Sequence, residues 1–280
     1  MKNIIKKENG IYEIDSGIQG PIISIIGGIH GNEKSGVYVL DLLKKNLNIS
    51  KGKIYLIYGN LKAIKLDKRQ LDFNLNRMFV FDKKYKDTYE YKRAKIIKNY
   101  LDLSDVSLDL HSSPSQNSPV FVICEKNSLD IIKDFPIKNI CFGFDNIEPG
   151  GTDYYMNSIG KIGICVECGT HNDILTTLNV FNVTINLLSY YGMINCDNKI
   201  LGNIKKEYFI AKNSYITKTD NFKLEKKMND FEIIKKGQLI GYDGKFKIYS
   251  KNTGKILFAR DRKQIGVEGF IEIKRTYMKK

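Results

Sequence analysis

The sequence predicts an α/β fold in which a mostly parallel, helix-flanked sheet is followed by a small β domain. Up to about residue 192, short apolar runs alternate with longer segments of helical periodicity. Strands that alternate with helices favour a parallel sheet covered by helices. Beyond residue 192 only short segments follow, separated by glycine and asparagine turns, which is typical of β structure. We therefore expect two domains, residues 1–194 and 195–280.

Strands are predicted where four to six apolar and β-branched residues occur together between turn residues. In the first domain these runs are 11–15, 22–26, 54–58, 106–110, 120–124, 140–144 and 163–168. In the second domain the candidate segments are 209–211, 238–242, 246–249 and 256–259.

Helices are predicted where apolar residues recur every three or four positions. The candidates are a helix ending near 47, a short helix or loop at 60–68, a helix at 87–101 capped by Asp87, helices at 129–135 and 172–191, and one that opens at 149–152. The apolar residues of segment 69–79 recur with neither helical nor strand spacing, and we expect a loop there.

The composition is that of a folded globular protein with excess positive charge. The 280 residues are 42% hydrophobic and carry a formal net charge of +14, almost all of it from scattered lysine, which is typical of a solvated surface. The chain opens without a secretory apolar stretch and has no run of about 20 apolar residues. The five cysteines are irregularly spaced. We expect reduced thiols in a cytoplasmic protein with no membrane partner.

A glycine-rich bend at residues 27–36 connects a predicted strand to a predicted helix and contains His30 and Glu33. Ligands of α/β proteins bind at this edge of the sheet. An imidazole and a carboxylate three residues apart in a bend can face one point, and both are good zinc ligands.

The chain has only three histidines, His30, His111 and His171, and each lies at or just after a predicted strand end. With Glu33, the first two form a His₂Glu set typical of catalytic zinc, which leaves a fourth position for a water molecule whose pKa zinc lowers to about 7. Asp109 shares a strand face with His111 and would orient a ligand histidine, or it only caps or turns the chain. His171 is a pocket candidate or a structural residue.

Glu167 ends a predicted strand between apolar neighbours and is our candidate general base. A helix cap or a salt-bridge partner is the alternative role. Cys165 and Cys168 are three residues apart on the same strand and point to opposite faces, so we expect buried structural thiols rather than a shared metal.

Asn76, Arg77 and Arg69 lie in the predicted loop 69–79. Guanidinium groups bind carboxylates bidentately, and asparagine amides add donors. Arg77 would hold a substrate carboxylate, and Arg69 would stabilise the oxyanion at the scissile carbonyl. Two surface arginines are the alternative.

Four segments, 28–33, 72–79, 109–111 and 167–169, resemble in this order the aspartoacylase and succinylglutamate desuccinylase family, which is similar to the zinc carboxypeptidases in fold. The resemblance implies one Zn²⁺ per chain on His30, Glu33 and His111. It implies Glu167 as base, Arg69 at the reacting carbonyl, and substrate binding by the pair Asn76 and Arg77. It also implies a small C-terminal β domain that narrows the mouth of the site.

The chain departs from the family pattern at two places. Residues 153–163 contain no arginine where the family has a substrate-binding one, and Asn157 lies near that place. The family also uses a tyrosine of the β domain, for which Tyr242 and Tyr249 are the candidates here.

These features predict a zinc-dependent amide hydrolase that removes an acyl group from a small anionic N-acyl amino acid or a similar amide. A metallocarboxypeptidase acting on peptides is the nearest alternative. A basic nucleic-acid-binding protein without catalysis has little support, because the chain has no known nucleic-acid motif and no basic stripe interleaved with aromatic residues. A non-catalytic metal-binding domain is a third alternative.

Overall fold

A sheet built from both the N-terminal and the C-terminal parts of the chain is the centre of the structure. The computed structural model describes residues 4–80, 82–171, 173–195 and 204–277. The strands up to residue 195 are β1 Ile4–Glu8, β2 Ile11–Asp15, β3 Ile22–Gly27, β4 Lys53–Tyr58, β5 Val106–Ser113, β6 Phe121–Cys124, β7 Asn139–Phe142 and β8 Ile162–Thr170. Those after residue 204 are β9 Glu207–Ile216, β10 Phe222–Leu224, β11 Ile233–Ile234, β12 Leu239–Asp243, β13 Phe246–Tyr249, β14 Gly254–Leu257 and β15 Glu268–Thr276.

Among the described residues, twelve strands form this sheet in the order β1-β2-β4-β3-β5-β8-β6-β7-β9-β15-β14-β11. The neighbours β4, β3, β5 and β8 are mutually parallel, as are β6, β7 and β9. The remaining pairs are antiparallel. Because β3, β5 and β8 are parallel neighbours, their carboxyl ends meet at one edge, where a ligand site is expected.

Helices cover both faces of the parallel strands, so the predicted fold class is confirmed. The helices are α1 Lys34–Asn46, α2 Leu61–Leu66, α3 Tyr89–Leu101, α4 Leu129–Ile132, α5 Phe144–Ile147, α6 Thr152–Ser158 and α7 Ile174–Tyr190. Buried residues of α1 and α7 belong to one apolar cluster, and those of α3 and α6 belong to another. No helix of the described ranges has both the length and the apolar character needed to cross a bilayer.

Several element boundaries differ from the prediction for local reasons. Helix α3 begins at Tyr89 and is capped by Thr88, whose Oγ1 accepts a hydrogen bond from Tyr91 N, so the predicted cap Asp87 is wrong. Strand β7 ends at Phe142 because Gly143 has a left-handed backbone, with φ of 79°. Strand β1 was not predicted, since it is an edge strand with mostly exposed side chains. Asn172, the predicted start of the last helix, lies outside the described residues.

The C-terminal part contains the predicted β structure and also extends the central sheet. Strand β9 pairs in parallel with β7, and β15, β14 and β11 follow it, whereas β10, β12 and β13 form a separate three-stranded sheet. Phe209 and Leu257 share an apolar cluster with Phe121 and Cys141 from the first part. The division between residues 194 and 195 stays a prediction, and residues 196–203, which include Cys196, lie outside the described part of the chain.

Glycines in the bend after β3 let backbone segments approach each other closely. A Cβ on Gly27 would lie 2.7 Å from the carbonyl carbon of Gly36, and one on Gly31 would lie 2.1 Å from that of Ala63. Gly28 has φ of 72°, in the left-handed region that favours glycine. The bend therefore holds the start of α1 against β3 and the start of α2 against Gly31.

Replacement of Gly31 by alanine is expected to destabilise the fold by about 2–3 kcal/mol, because the added methyl group meets backbone atoms that cannot rotate away. Thermal unfolding measures this effect. Gly160→Ala is the control, since a Cβ there meets no atom within 4 Å and its φ of 77° costs only about 1 kcal/mol. Equal losses of thermal stability in the two variants would show that the close backbone contact at Gly31 does not contribute to stability.

Candidate metal centre and active site

Two histidines and a glutamate converge where β3 and β5 end. His30 and Glu33 lie in the bend after β3, and His111 is the sixth residue of β5, the parallel neighbour of β3. His30 Nδ1 is 2.8 Å from Glu33 Oε1, and His111 Nδ1 is 2.9 Å from Glu33 Oε2. The two Nδ1 atoms are 3.2 Å apart. All three side chains are buried, and one ligand atom of each lies within 4.8 Å of the others.

The remaining ring nitrogens of the two histidines lie against oxygen atoms. His30 Nε2 is 3.0 Å from Asn74 Oδ1, and His111 Nε2 is 3.1 Å from Asp109 Oδ2. Asp109 Oδ2 also accepts a hydrogen bond of 2.5 Å from Thr152 Oγ1. A side-chain oxygen beside Nε2 favours a proton on that nitrogen and leaves Nδ1 free to bind a metal. Asp109 thus lies beside His111, while Asn74, a residue of the loop 69–79, lies beside His30.

Glu33 and His30 are in the protonation states that bind a cation, whereas His111 must first release a proton. Burial opposes ionisation of Glu33, but the neighbouring His30 and His111 hold its pKa well below the usual range. Burial lowers the pKa of His30 to about 4, so this imidazole is neutral at pH 7. Burial opposes the charged form of His111, but Asp109 and Glu33 raise its pKa well above the usual range. Metal ions bind deprotonated carboxylates and neutral imidazoles, so a cation would displace the proton of His111. The residues present therefore fit a divalent cation held by His30, Glu33 and His111.

Glu167 lies beside this cluster on the adjacent strand. In the parallel register of β5 and β8, its Cα is paired with that of His111. The side chain is 7% exposed, and its Oε2 has no hydrogen-bond partner within the described ranges. Burial raises the pKa of Glu167 to about 8. The site thus contains a second carboxyl group that is ready to exchange a proton.

The predicted loop 69–79 closes one side of the same cavity. Arg69 Nη1 is 3.2 Å from Glu33 Oε1. Arg77 Nη2 forms an ion pair with Glu148, and Asn76 Oδ1 accepts a hydrogen bond of 3.3 Å from Thr152 N. All three predicted loop residues line one cavity with the histidine cluster and Glu167. Their roles in binding and catalysis stay predictions.

His171 and the paired cysteines lie around the cavity rather than at its centre. His171 Nδ1 is 2.7 Å from Ser112 Oγ, and His171 is absent from the cavity lining. Cys165 borders the cavity and packs with Phe121, whereas Cys168 packs in the cluster of α1 and α7 on the other side of the sheet. The predicted opposite orientation of the two thiols is confirmed.

Residues of the C-terminal part complete the cavity wall. They are Phe258, Arg260, Glu268 and Ile271. The tyrosines proposed from the sequence, Tyr242 and Tyr249, are not among the lining residues, and that expectation is wrong. Both lie on strands of the separate three-stranded sheet, and Tyr249 is 49% exposed. The only sequence signal for Arg260 was the rarity of arginine, with six in 280 residues.

Replacement of Glu167 by glutamine is expected to raise the free energy of unfolding of the metal-free protein, by an amount that grows from pH 5 to pH 9. Because burial raises the pKa of Glu167 above the value of about 4.3 in an unfolded chain, folded Glu167 keeps a proton that unfolding releases. The stability that protonated Glu167 contributes to the folded state is fully present below pH 4 and is lost as the pH rises through 8. Glutamine cannot ionise, so the difference in the free energy of unfolding should reach a few kcal/mol near pH 9.

Urea unfolding of the chelator-treated protein at several pH values measures this difference. The exposed residue Glu225, changed to glutamine, controls for loss of a surface carboxylate. A difference between Glu167→Gln and the unmodified chain that stays constant with pH would contradict the buried, protonated Glu167.

Comparison with known proteins gives a family match over most of the first part of the chain. The profile of the succinylglutamate desuccinylase/aspartoacylase catalytic domain matches residues 19–187. The chain is 26% identical over 202 residues to a probable aspartoacylase of Nostoc sp., covering 66% of this chain and 67% of that protein. It is 31% identical over 168 residues to the N-acyl-aromatic-L-amino acid amidohydrolase (carboxylate-forming) of Mus musculus, covering 52% of each chain. The alignments thus span about half to two thirds of these relatives.

The likeness to solved structures extends over the C-terminal part as well. The crystal structure of succinylglutamate desuccinylase from Vibrio cholerae superposes with a TM-score of 0.78 and 18% sequence identity. The match covers 98% of this chain and 91% of that one. At this level of identity the likeness establishes a shared fold.

Proposed function

Because the chain belongs to the succinylglutamate desuccinylase/aspartoacylase family, we propose that it is a zinc-dependent amide hydrolase that removes an acyl group from a small anionic N-acyl amino acid or a similar amide. The observation that carries this proposal is the buried convergence of His30, Glu33 and His111 beside Glu167. This set of nitrogen and oxygen donors is typical of catalytic zinc, and one ion per chain would occupy it.

The three ligands and Glu167 divide the chemistry of hydrolysis between them. A zinc ion held by His30, Glu33 and His111 would lower the pKa of a water molecule and polarise the amide carbonyl. Glu167 accepts the proton of the attacking water and delivers it to the leaving nitrogen. Burial raises the pKa of Glu167 to about 8 in the metal-free protein, and a cation bound beside it would lower this pKa and favour the carboxylate that accepts the proton of water.

The loop residues act on the substrate in this proposal. Arg69 lies beside Glu33, where its guanidinium group stabilises negative charge that develops on the carbonyl oxygen. Partial burial and the neighbouring charge of Arg260 lower the pKa of Arg69 to about 10, so it remains cationic at pH 7. Asn76 and Arg77 face the same cavity and bind a carboxylate of the substrate.

A small substrate is favoured over a peptide by the position of the C-terminal part. Phe258, Glu268 and Ile271 border the cavity that contains the candidate metal ligands. A metallocarboxypeptidase needs an open groove on this side to admit the remainder of a peptide. The side chains that border the cavity here therefore support an amide hydrolase acting on small molecules.

Glu167→Gln is expected to keep the bound metal and to lose at least about 100-fold in kcat, because glutamine cannot accept the proton of the water. The assay follows release of free amine from a panel of N-acetyl and N-succinyl amino acids, with metal content measured on the same samples. Glu8→Gln is the matched control at an exposed position that lines neither cavity, and it should retain full activity. Undiminished turnover by Glu167→Gln would remove Glu167 from the mechanism.

Asn74→Ala is expected to weaken metal binding by about 10- to 100-fold, because Asn74 Oδ1 holds the Nε2 proton of His30 and thereby orients Nδ1. Competition with a chromophoric chelator measures the affinity. Asn48→Ala, at an exposed position, is the control. An Asn74→Ala variant that binds zinc as tightly as this control would show that the Asn74 contact does not support the metal site.

A further inference from the structure

The charges that line the active-site cavity are unevenly paired. Arg77 pairs with Glu148 and lies 3.5 Å from Glu268, and Arg262 Nη2 also lies 3.5 Å from Glu268. Glu148 additionally accepts a hydrogen bond from Ser214 Oγ. Two arginines and two glutamates therefore neutralise one another at this side of the cavity. The charge of Arg77, which the sequence assigned to the substrate, is already shared with protein carboxylates.

Arg260 is different from these arginines. It lines the cavity, yet within the described parts of the chain no carboxylate oxygen lies within 4 Å of its guanidinium nitrogens. Its Nε atom is buried without a hydrogen-bond acceptor. Burial of an unpaired donor of a charged group is unfavourable unless a partner is bound. The unmet donor therefore indicates that an acceptor outside this chain belongs there.

The backbone that carries Arg260 is fixed in place. Arg260 N donates a hydrogen bond of 3.2 Å to Gly269 O. Two residues earlier, Phe258 N donates a hydrogen bond of 2.8 Å to Asp230 Oδ1, and Asp230 Oδ2 accepts from Ser113 Oγ at 2.7 Å. The segment is thus tied to the end of β5, close to the candidate metal ligand His111. Because the backbone at Arg260 is already fixed, less conformational entropy is lost when its guanidinium group binds an anion.

The surroundings of Arg260 favour an anionic ligand. Arg69 and Arg260 line one cavity, so two cationic groups border the same space. A carboxylate bound beside Arg260 would relieve the repulsion between these two like charges and would accept hydrogen bonds from the guanidinium group.

We propose that Arg260 is a specificity-determining residue that receives a substrate carboxylate, in addition to the carboxylate predicted to lie near Arg77. This proposal rests on the proposed amide hydrolysis. The substrates favoured by Arg260 are N-acyl amino acids that carry two carboxylates.

A second cavity gives such a substrate room beside Arg260. It has a volume of about 520 Å³ and shares Ser113, Pro114, Phe258 and Arg260 with the lining of the active-site cavity. Arg260 therefore stands at the border of both spaces. A substituent directed away from the metal ligands can meet the guanidinium group there.

The test compares substrates that differ only in one carboxylate. Values of kcat/KM are measured for N-acetylaspartate against N-acetylasparagine, and for N-acetylglutamate against N-acetylglutamine. In the unmodified enzyme the dicarboxylates should be favoured. Arg260→Gln should lower kcat/KM by about 10- to 100-fold for the dicarboxylates and by less than about threefold for the amides. Arg260→Lys should recover part of the loss, because it keeps the charge but not the fork of donors.

Lys247→Gln is the matched control, since it removes one positive charge from an exposed position that lines neither cavity. It should leave the preference unchanged. Equal losses for dicarboxylates and amides in Arg260→Gln, or the same change in Lys247→Gln, would overturn the role of Arg260. So would an unmodified enzyme that shows no preference between the paired substrates.

A binding measurement separates this proposal from the proposed hydrolysis. If the unmodified enzyme cleaves none of these amides, hydrolysis of this substrate class fails, and calorimetry on the zinc-loaded protein still tests Arg260. Aspartate should bind more tightly than asparagine, and Arg260→Gln should abolish the difference. Equal affinities of the unmodified protein for the two amino acids would overturn the role of Arg260 by itself.

Discussion

The structure depends on one electrostatic constraint, the removal of Glu33 from water between two imidazoles. A buried carboxylate is expensive unless charges or hydrogen bonds compensate it. Here His30 and His111 approach its two oxygens at 2.8 and 2.9 Å, and Arg69 lies 3.2 Å away. Ser112 N donates a further hydrogen bond to Glu33 Oε2. The bend after β3, the end of β5 and the loop that carries Arg69 are all fixed by this single side chain.

The contrast between two buried carboxyl groups defines what the site can do. Glu33 is surrounded by donors that keep it ionised, whereas Glu167 lies on the neighbouring strand with an unpartnered oxygen and a raised pKa. Carboxyl groups whose environments push their pKa values apart take different roles in catalysis. The same backbone geometry, parallel strands in register, places both groups at one edge of the sheet.

The C-terminal part contributes to the site through the sheet rather than through a loose lid. Strand β9 continues the order of the central sheet beside β7, and β15 and β14 follow it. Glu268 reaches the cavity from the first position of β15, where it pairs with Ile216 of β9. Arg260 reaches the cavity from the connection between β14 and β15, where its N–H donates to Gly269 O. Residues outside the matched range 19–187 therefore form part of the wall of the candidate site.

Local patterns in the sequence determined the secondary structure and the chemistry of the candidate metal ligands. The alternation of apolar runs and helical periods predicted the parallel sheet, and strand-end positions predicted that His30, Glu33 and His111 would meet. These inferences succeed because strand ends in a parallel sheet share one edge, whatever the details of packing. Cap choice and element boundaries failed where one side chain or one glycine decided them, as at Thr88 and Gly143.

Only the tertiary structure decided which charges are compensated. Arg77 lies 71 positions from its partner Glu148 in the sequence, and no periodic pattern records such a contact. Within the described residues, the fold pairs Arg77 with Glu148 and gives Arg260 no carboxylate partner at the cavity, because ion pairing depends on distances set by the strand order of the sheet. Whether a charge is compensated depends on distances between groups in the folded structure, and the order of residues along the chain does not give those distances.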